Sequence, residues 1–292
     1  MSANVCKLSL EGIFKFVIRI SCSDMSNISS LDGPGLRDLV LSVKKVSLPL
    51  YLAASDIRQR YRRSSLGPFW ITISTGVMIG CIGLIFGNLF KAPMSEFLPY
   101  LTVGLILWTF FSTTITESTE VFVRSESVIR QLPIPLFSHV IRMIAKNLII
   151  LAHNALIIPL VYLCLGKSVN WNVFVALPGL CIFVLNLAWI SLILGVVCTR
   201  FRDMSQIVNS MLQIAFYVTP IIWMPQLLPA KTEVMILDPN PVYHLLELVR
   251  APLLGSFPSL MNWIVSCFLL LFGFLIVVPI FNKYRNKIVY WL

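Results

Sequence analysis

The sequence predicts an all-α integral membrane protein with six transmembrane helices, an N-terminal amphipathic interface helix and short re-entrant helices on the outer side. Three observations predict it. Of the 292 residues, 57% are hydrophobic and 12% charged, with a mean hydropathy of +0.84; a soluble domain carries roughly 25% charge. Six windows of at least 20 residues lack Asp, Glu, Lys and Arg: 64–90, 97–116, 147–166, 168–199, 204–230 and 251–282. Each can cross a hydrocarbon core that needs about 20 helical residues. Finally, the basic residues fall on alternate connections. Ten precede the first window, and Arg124, Arg130, Arg142, Lys146, Arg200, Arg202, Lys283, Arg285 and Lys287 fall on the same side, leaving only Lys91, Lys167, Lys231 and Arg250 on the other. The positive-inside rule then places both termini in the cytoplasm. The net charge of +10 is a topology signal, and nucleic acid is not an expected partner.

Residues 1–46 form a cytoplasmic leader. Its apolar stretch "VCKLSLEGIFKFVIRIS" is interrupted by Lys7, Glu11, Lys15 and Arg19, so it lacks the clean core of a signal peptide. Residues 47–67 form the interface helix. Leu50, Ala54, Ile57 and Tyr61 share one face, while Arg58, Arg60, Arg62 and Arg63 spread over the rest and reach lipid headgroups. Gly67-Pro68 turns the chain into the six-span domain, 68–292, with Trp70 at the interface.

The link "KAPMSE" makes an outward hairpin of spans one and two. The next connection, "ESTEVFVRSESVIRQLPIPLFSHVIRMIAK", is too polar to cross; its helical run stops at Pro133 and Pro135 before span three begins near Leu136. His153, alone in span three, reads as a hydrogen-bonded structural histidine. Span four, about 174–199, exits into "RFRDMSQ", where Arg200, Arg202 and Asp203 suggest a local ion pair.

The fifth window is broken. A helix from Ser205 runs only to Val218 before Thr219-Pro220, about 21 Å at 1.5 Å per residue, and Pro225 and Pro229 prevent a clean resumption. Such breaks are tolerated where the backbone is buried in protein or lines a cavity. "DPNPVYHLLELVRAPLLG" follows as a short helix over 242–249, interrupted by His244, Glu247 and Arg250 and too charged to span. It reads as an outer re-entrant or interfacial segment. The last span, 260–281, returns to a basic tail.

The chemistry is sparse. No span centre holds a carboxylate or lysine, which weakens an ion-coupled carrier. No G-x-x-x-x-G-K-[ST] loop occurs, so ATP hydrolysis is not expected of this chain. The seven cysteines show no ligand spacing, and His139, His153 and His244 are scattered, so no metal site is expected. Glu117, Glu120 and Glu126, the only acidic cluster, read as a solvated face of the connector. A catalytic role is therefore not expected. Aromatic residues are plentiful, with 19 Phe, 8 Tyr and 7 Trp. Most suit lipid or interface, but Phe86, Phe90, Trp108, Phe216, Tyr217 and Trp223 fall near the ends of spans one, two and five. Their planes suit the apolar faces of sugar rings.

These motifs resemble, in order and spacing, the permeases of polysaccharide-exporting ABC transporters over about residues 45–290. "SDIRQRYRRSSLGPFW" is similar to their "RDIKxRYxxSxLGxxW"; "VIRQLPIPL" to their cytoplasmic connector; "FRDMSQIV" to their span-four exit. "TPIIW" is similar to their broken fifth span and "NPVYHLLELVRAPLLG" to their outer re-entrant segment. The nearest type is the O-antigen export permease, with capsule and teichoic-acid permeases as relatives. The resemblance implies one half of a type-2 exporter in a bacterial inner membrane. Two copies form the channel, and each pairs with a separate nucleotide-binding ATPase that holds the ATP and magnesium; this chain binds no cofactor. The implied cargo is a polysaccharide on undecaprenyl diphosphate. By position, Arg58, Arg60, Arg62 and Arg63 guide the lipid diphosphate. Glu120, Arg124, Glu126 and Arg130, within 120–131, couple to the ATPase, and Pro220 with Tyr243, His244, Glu247 and Arg250 forms the outer gate. A type-2 permease for a drug, haem or lipid, or a membrane-embedded glycan-modifying transferase, stays open as an alternative.

Overall fold

A computed structural model describes residues 33–62, 67, 69–167, 171–227 and 229–292. Arg63 and most of the leader lie outside them. Among the described residues every regular element is helical. The helices are α1 (Pro34–Lys44), α2 (Ser47–Arg60), α3 (Phe69–Phe90), α4 (Met94–Ser118), α5 (Glu126–Gln131), α6 (Phe137–Ala155), α7 (Ile157–Cys164), α8 (Ala176–Arg200), α9 (Met204–Val218), α10 (Ala230–Leu237), α11 (Pro241–Leu253) and α12 (Leu260–Trp291).

Among the described residues five stretches are long and apolar enough to cross a membrane: Phe69–Phe90, Met94–Ser118, Phe137–Cys164, Trp171–Arg200 and Leu260–Trp291. This is an integral membrane protein. The fifth window supplies only the 15-residue α9, which stops at Val218 because Thr219 turns extended (ψ 135°) ahead of Pro220. The third of these stretches is interrupted at Leu156, where α6 gives way to α7.

Helix α4 is the centre, with 78% of its apolar window buried. It packs on α3, α6, α7, α8, α9 and α11. Close backbone approach fixes α8 against α11: a Cβ added at Gly179 would lie 2.3 Å from the Leu248 carbonyl oxygen, so only glycine fits.

Part of the leader is structured. Helix α1 starts at Pro34, which suits a first helical turn, and packs on α6 and α12. Its Asp38 is 2% exposed. The carboxylate accepts the Leu136 and Phe137 amides at 2.9 Å each and pairs with Arg285 at 3.1 Å. It thereby caps the N-terminus of α6 from another helix. Burial pushes this carboxyl upward from its ordinary value, while the two amides and Arg285 pull it back.

The interface helix differs in register from its reading. Pro49, Ala53 and Ile57 are buried, while Leu50 is 47% exposed and Tyr51 58%. The expected face shares Ile57 with the real one but is rotated, because α2 packs sideways onto α6 and turns Leu50 and Tyr51 outward. His153 is hydrogen-bonded: its Nδ1–H donates to the Ile149 carbonyl at 2.7 Å.

Candidate functional site: a broken span, its groove and its buried latch

Ending a helix inside a bundle strands backbone carbonyls that water cannot reach. Here the Pro220 carbonyl accepts two hydrogen bonds, from Arg250 Nη1 at 2.5 Å and from the Tyr100 hydroxyl at 3.0 Å. Arg250 is fully buried. Its Nε donates to Glu247 Oε1 at 3.0 Å, its Nη2 pairs with the same oxygen, and its guanidinium lies 4.2 Å from the Tyr100 ring centroid. Two donors from different parts of the chain thus close on one carbonyl, and Glu247 holds one of them in place.

A second tie runs beside it. Asn240 caps α11 by accepting from the Val242 and Tyr243 amides, and its Nδ2 donates to Thr219 Oγ1 at 3.0 Å. His244, 1% exposed, donates from Nε2 to the Asp238 carbonyl at 2.9 Å and meets the Asn262 amide at 2.8 Å. The re-entrant helix is therefore fastened to the break at one end and to α12 along its side.

Below the break, α3, α4 and α9 enclose a groove of about 730 Å³ lined by Trp108, Phe216 and Tyr217 together with Thr109, Ser112, Thr116, Asn209 and Gln213. Trp108 and Phe216 are 5.5 Å apart. Asn209 Oδ1 accepts from the Thr116 hydroxyl at 3.0 Å. No residue of α9 is buried within the chain. A helix in the membrane with such a polar stripe needs water, cargo or another protein surface against it.

At the opposite end of α4 the chain passes through a short turn, Val123–Ser125, into α5. Glu120–Arg124 and Glu126–Arg130 form exposed pairs at 2.7 and 2.9 Å. Behind this connector, Lys146 binds Glu117 at 2.6 Å, and Arg142 grips Asp56 through two bonds of 2.7 and 2.5 Å. Helix α6 is thus bound by charge to both the root of the connector and the interface helix. They enclose a cavity of about 230 Å³ into which His139 also faces.

The sequence pattern of ABC-2 type transporters matches residues 50–254. The chain belongs to the ABC-2 type transporter family. It is 22% identical over 250 residues to the O-antigen export system permease protein RfbA of Klebsiella pneumoniae, covering 82% of this chain and 93% of that one. A like-named protein from Myxococcus xanthus is 21% identical over 206 residues, 70% of this chain and 79% of the other.

In this ABC-2 type transporter the structure brings the five expected gate residues into one region. Pro220, Glu247 and Arg250 share a network, and Tyr243 and His244 sit beside it. Of the expected aromatics, Trp108, Phe216 and Tyr217 share the groove, and Trp223 Nε1 donates to the Tyr217 carbonyl at 3.1 Å. Phe86 and Phe90 pack with each other and with Phe97, apart from the groove. Arg58 and Arg60 are exposed on α2, and Arg62 is exposed in the turn after it.

Two expectations are corrected. Glu117 is on α4 and half-buried against Lys146, so it is no part of a solvated connector face. Among the described residues no ion pair joins Asp203 to Arg200 or Arg202; Arg200 lies over Trp291 and Phe201 at 5.6 and 5.9 Å. Tyr100, Asn262 and Asp38 were missed, since nothing local marks them. Asn240 was legible as a cap in "DPNP" just ahead of an apolar run.

Proposed function

We propose that this chain is the membrane-spanning subunit of an ATP-driven exporter that moves lipid-linked polysaccharide of the O-antigen type across a bacterial inner membrane. It works as a pair of copies, each with a separate nucleotide-binding ATPase that binds ATP and magnesium. The cargo is a polymer on undecaprenyl diphosphate, and both termini face the cytoplasm. The chain itself is not an enzyme. Six crossings result when α9 and the segment after it are counted as the broken fifth.

One observation carries this reading: the groove beside the broken span combines aromatic planes with hydroxyl and amide groups in helices that are otherwise apolar. That lining suits sugar rings, which need stacking faces and hydrogen-bond partners, better than it suits a lipid or an apolar drug. The names of the relatives support the same cargo class. The uncovered α9 supports a second copy closing the groove.

In the mechanism, Arg58, Arg60, Arg62 and Arg63 draw the anionic diphosphate to the cytoplasmic mouth. The ATPase moves the connector through Glu120, Arg124, Glu126 and Arg130. The Glu117–Lys146 and Arg142–Asp56 pairs carry that movement into α6 and the interface helix. At the outer end the segment after Val218 parts from α4, releasing the Pro220 carbonyl from Arg250, and the polymer leaves.

Deleting the gene in its host and labelling the glycan on sections and on intact cells tests this. Surface polysaccharide is expected to disappear while polymer accumulates inside. Normal surface polymer without a backlog would refute the reading and favour a drug, haem or lipid permease.

A further inference from the structure

Beyond the groove, the outer end of the bundle holds a cavity of about 1020 Å³. It lies at the start of α4, whereas the connector lies at its end. Outer connections and the re-entrant helix converge on it: Glu96 from the first turn of α4, Tyr162 from α7, Trp171 from the turn before α8, Gln226 from the turn after the break, and Tyr243 and Glu247 from α11.

Its chemistry is selective. Five aromatic residues line it, Tyr100, Tyr162, Trp171, Tyr243 and Phe257. Tyr162 is held in place because its hydroxyl donates to the Leu253 carbonyl at 2.7 Å. Trp171 is backed on one side by Phe174 at 5.8 Å and is otherwise 82% exposed. Between the rings stand hydrogen-bonding groups. Both bonds from Arg250 to Glu247 fall on Oε1, which leaves Oε2 to accept from a ligand. The same pairing neutralises Glu247, and the remaining lining charges, Glu96 and Lys167, are of opposite sign, so the cavity has little net charge. Among the described lining residues Lys167 is the one cation, too few to favour a polyanion.

Aromatic planes interleaved with carboxylate and amide acceptors suit a ligand with apolar faces and many hydroxyl donors. We infer that this outer cavity is a carbohydrate-binding site that takes a short pyranose segment of the exported polymer as it emerges. The cargo assignment rests on the proposed function; the sugar-binding chemistry does not. Because Glu247 and Tyr100 line the cavity and also hold Arg250 and the Pro220 carbonyl, a bound segment bears directly on the latch.

The test is calorimetric titration of the purified full-length chain with its partner ATPase. The first probe is oligosaccharide cut from the host's own surface polysaccharide after mild-acid removal of lipid. The second is soluble muropeptide from the host's cell wall, another pyranose polymer on that side of the membrane. Two variants of exposed residues, Trp171→Ala and Glu96→Gln, keep the test independent of folding, which thermal melting checks.

Saturable binding of the surface oligosaccharide, weakened roughly tenfold in each variant, is the expected result. No binding, equal binding by wild type and both variants, or binding of muropeptide alone would overturn the inference. Absence of binding alongside a deletion strain with a bare surface removes this site and leaves export standing. Binding alongside a normal surface removes export and leaves a sugar site.

Discussion

At the break after Val218, Arg250 is wholly buried and directs its guanidinium to one carboxylate, one backbone carbonyl and one ring. At the connector end Arg142 and Lys146 hold Asp56 and Glu117 with side chains 16–27% exposed. The first arrangement is discrete. Its partners are either all engaged or one of them is left buried without a match, which is costly. The second arrangement tolerates small displacement, because solvent beside it softens each loss. The opening proposed for this molecule, at one end in response to a push at the other, would use this asymmetry: a two-position latch and a yielding frame.

The largest effect is expected from Arg250→Met. It leaves the Glu247 carboxylate without its partner and the Pro220 carbonyl with the Tyr100 hydroxyl alone, and breaking a buried pair costs about 3–5 kcal/mol. Thermal melting of the purified protein should show a large fall, and surface polysaccharide should be lost. A melting curve like that of the wild type would show that the network carries no load.

Gly179→Ala comes next. Its Cβ meets backbone at 2.3 Å and not a flexible side-chain tip, so α8 and α11 must separate, at about 1–3 kcal/mol. Unchanged melting would mean that the two helices are not held at this spacing.

The frame should yield less. A double-mutant cycle on Asp56→Ala and Arg142→Ala is expected to give a coupling of about 1 kcal/mol. A coupling as large as that at Arg250 would erase the contrast between the two ends. Smallest of all, Arg58→Gln, Arg60→Gln and Arg62→Gln together should leave melting unchanged, since the three are exposed. They should weaken binding of vesicles rich in anionic lipid. Unaltered vesicle binding would remove their role at the headgroups.

What the sequence made legible was what is coded locally. Thr219-Pro220 marked the end of α9 at Val218 because the residue before proline is driven out of helix. Glu247 and Arg250 were conspicuous as charges in an apolar run. Their partner Tyr100 was not, since it lies 120 residues from Pro220 and looks like any span tyrosine. Asp38 was hidden in the same way: its partner Arg285 is 247 positions distant. Helix α2 was expected as a helix but its buried face was misaligned, because α2 offers apolar residues to α6 and to the outside at once, and periodicity does not rank two apolar faces. The sixth crossing was counted from an uncharged window, whereas the helix within it is too short to span.

The central claim is that the segment after Val218 must part from α4 for cargo to pass. A Cβ at position 104 would lie 3.7 Å from the Ile221 Cα, close enough for a cysteine bridge. The decisive measurement is polysaccharide export in cells carrying Gly104→Cys with Ile221→Cys, before and after reduction, with the unsubstituted chain controlling for native cysteines. The account predicts that export stops when the bridge forms and resumes when it is reduced. Export at the unsubstituted rate through a chain whose bridge is verified by mass spectrometry would contradict it.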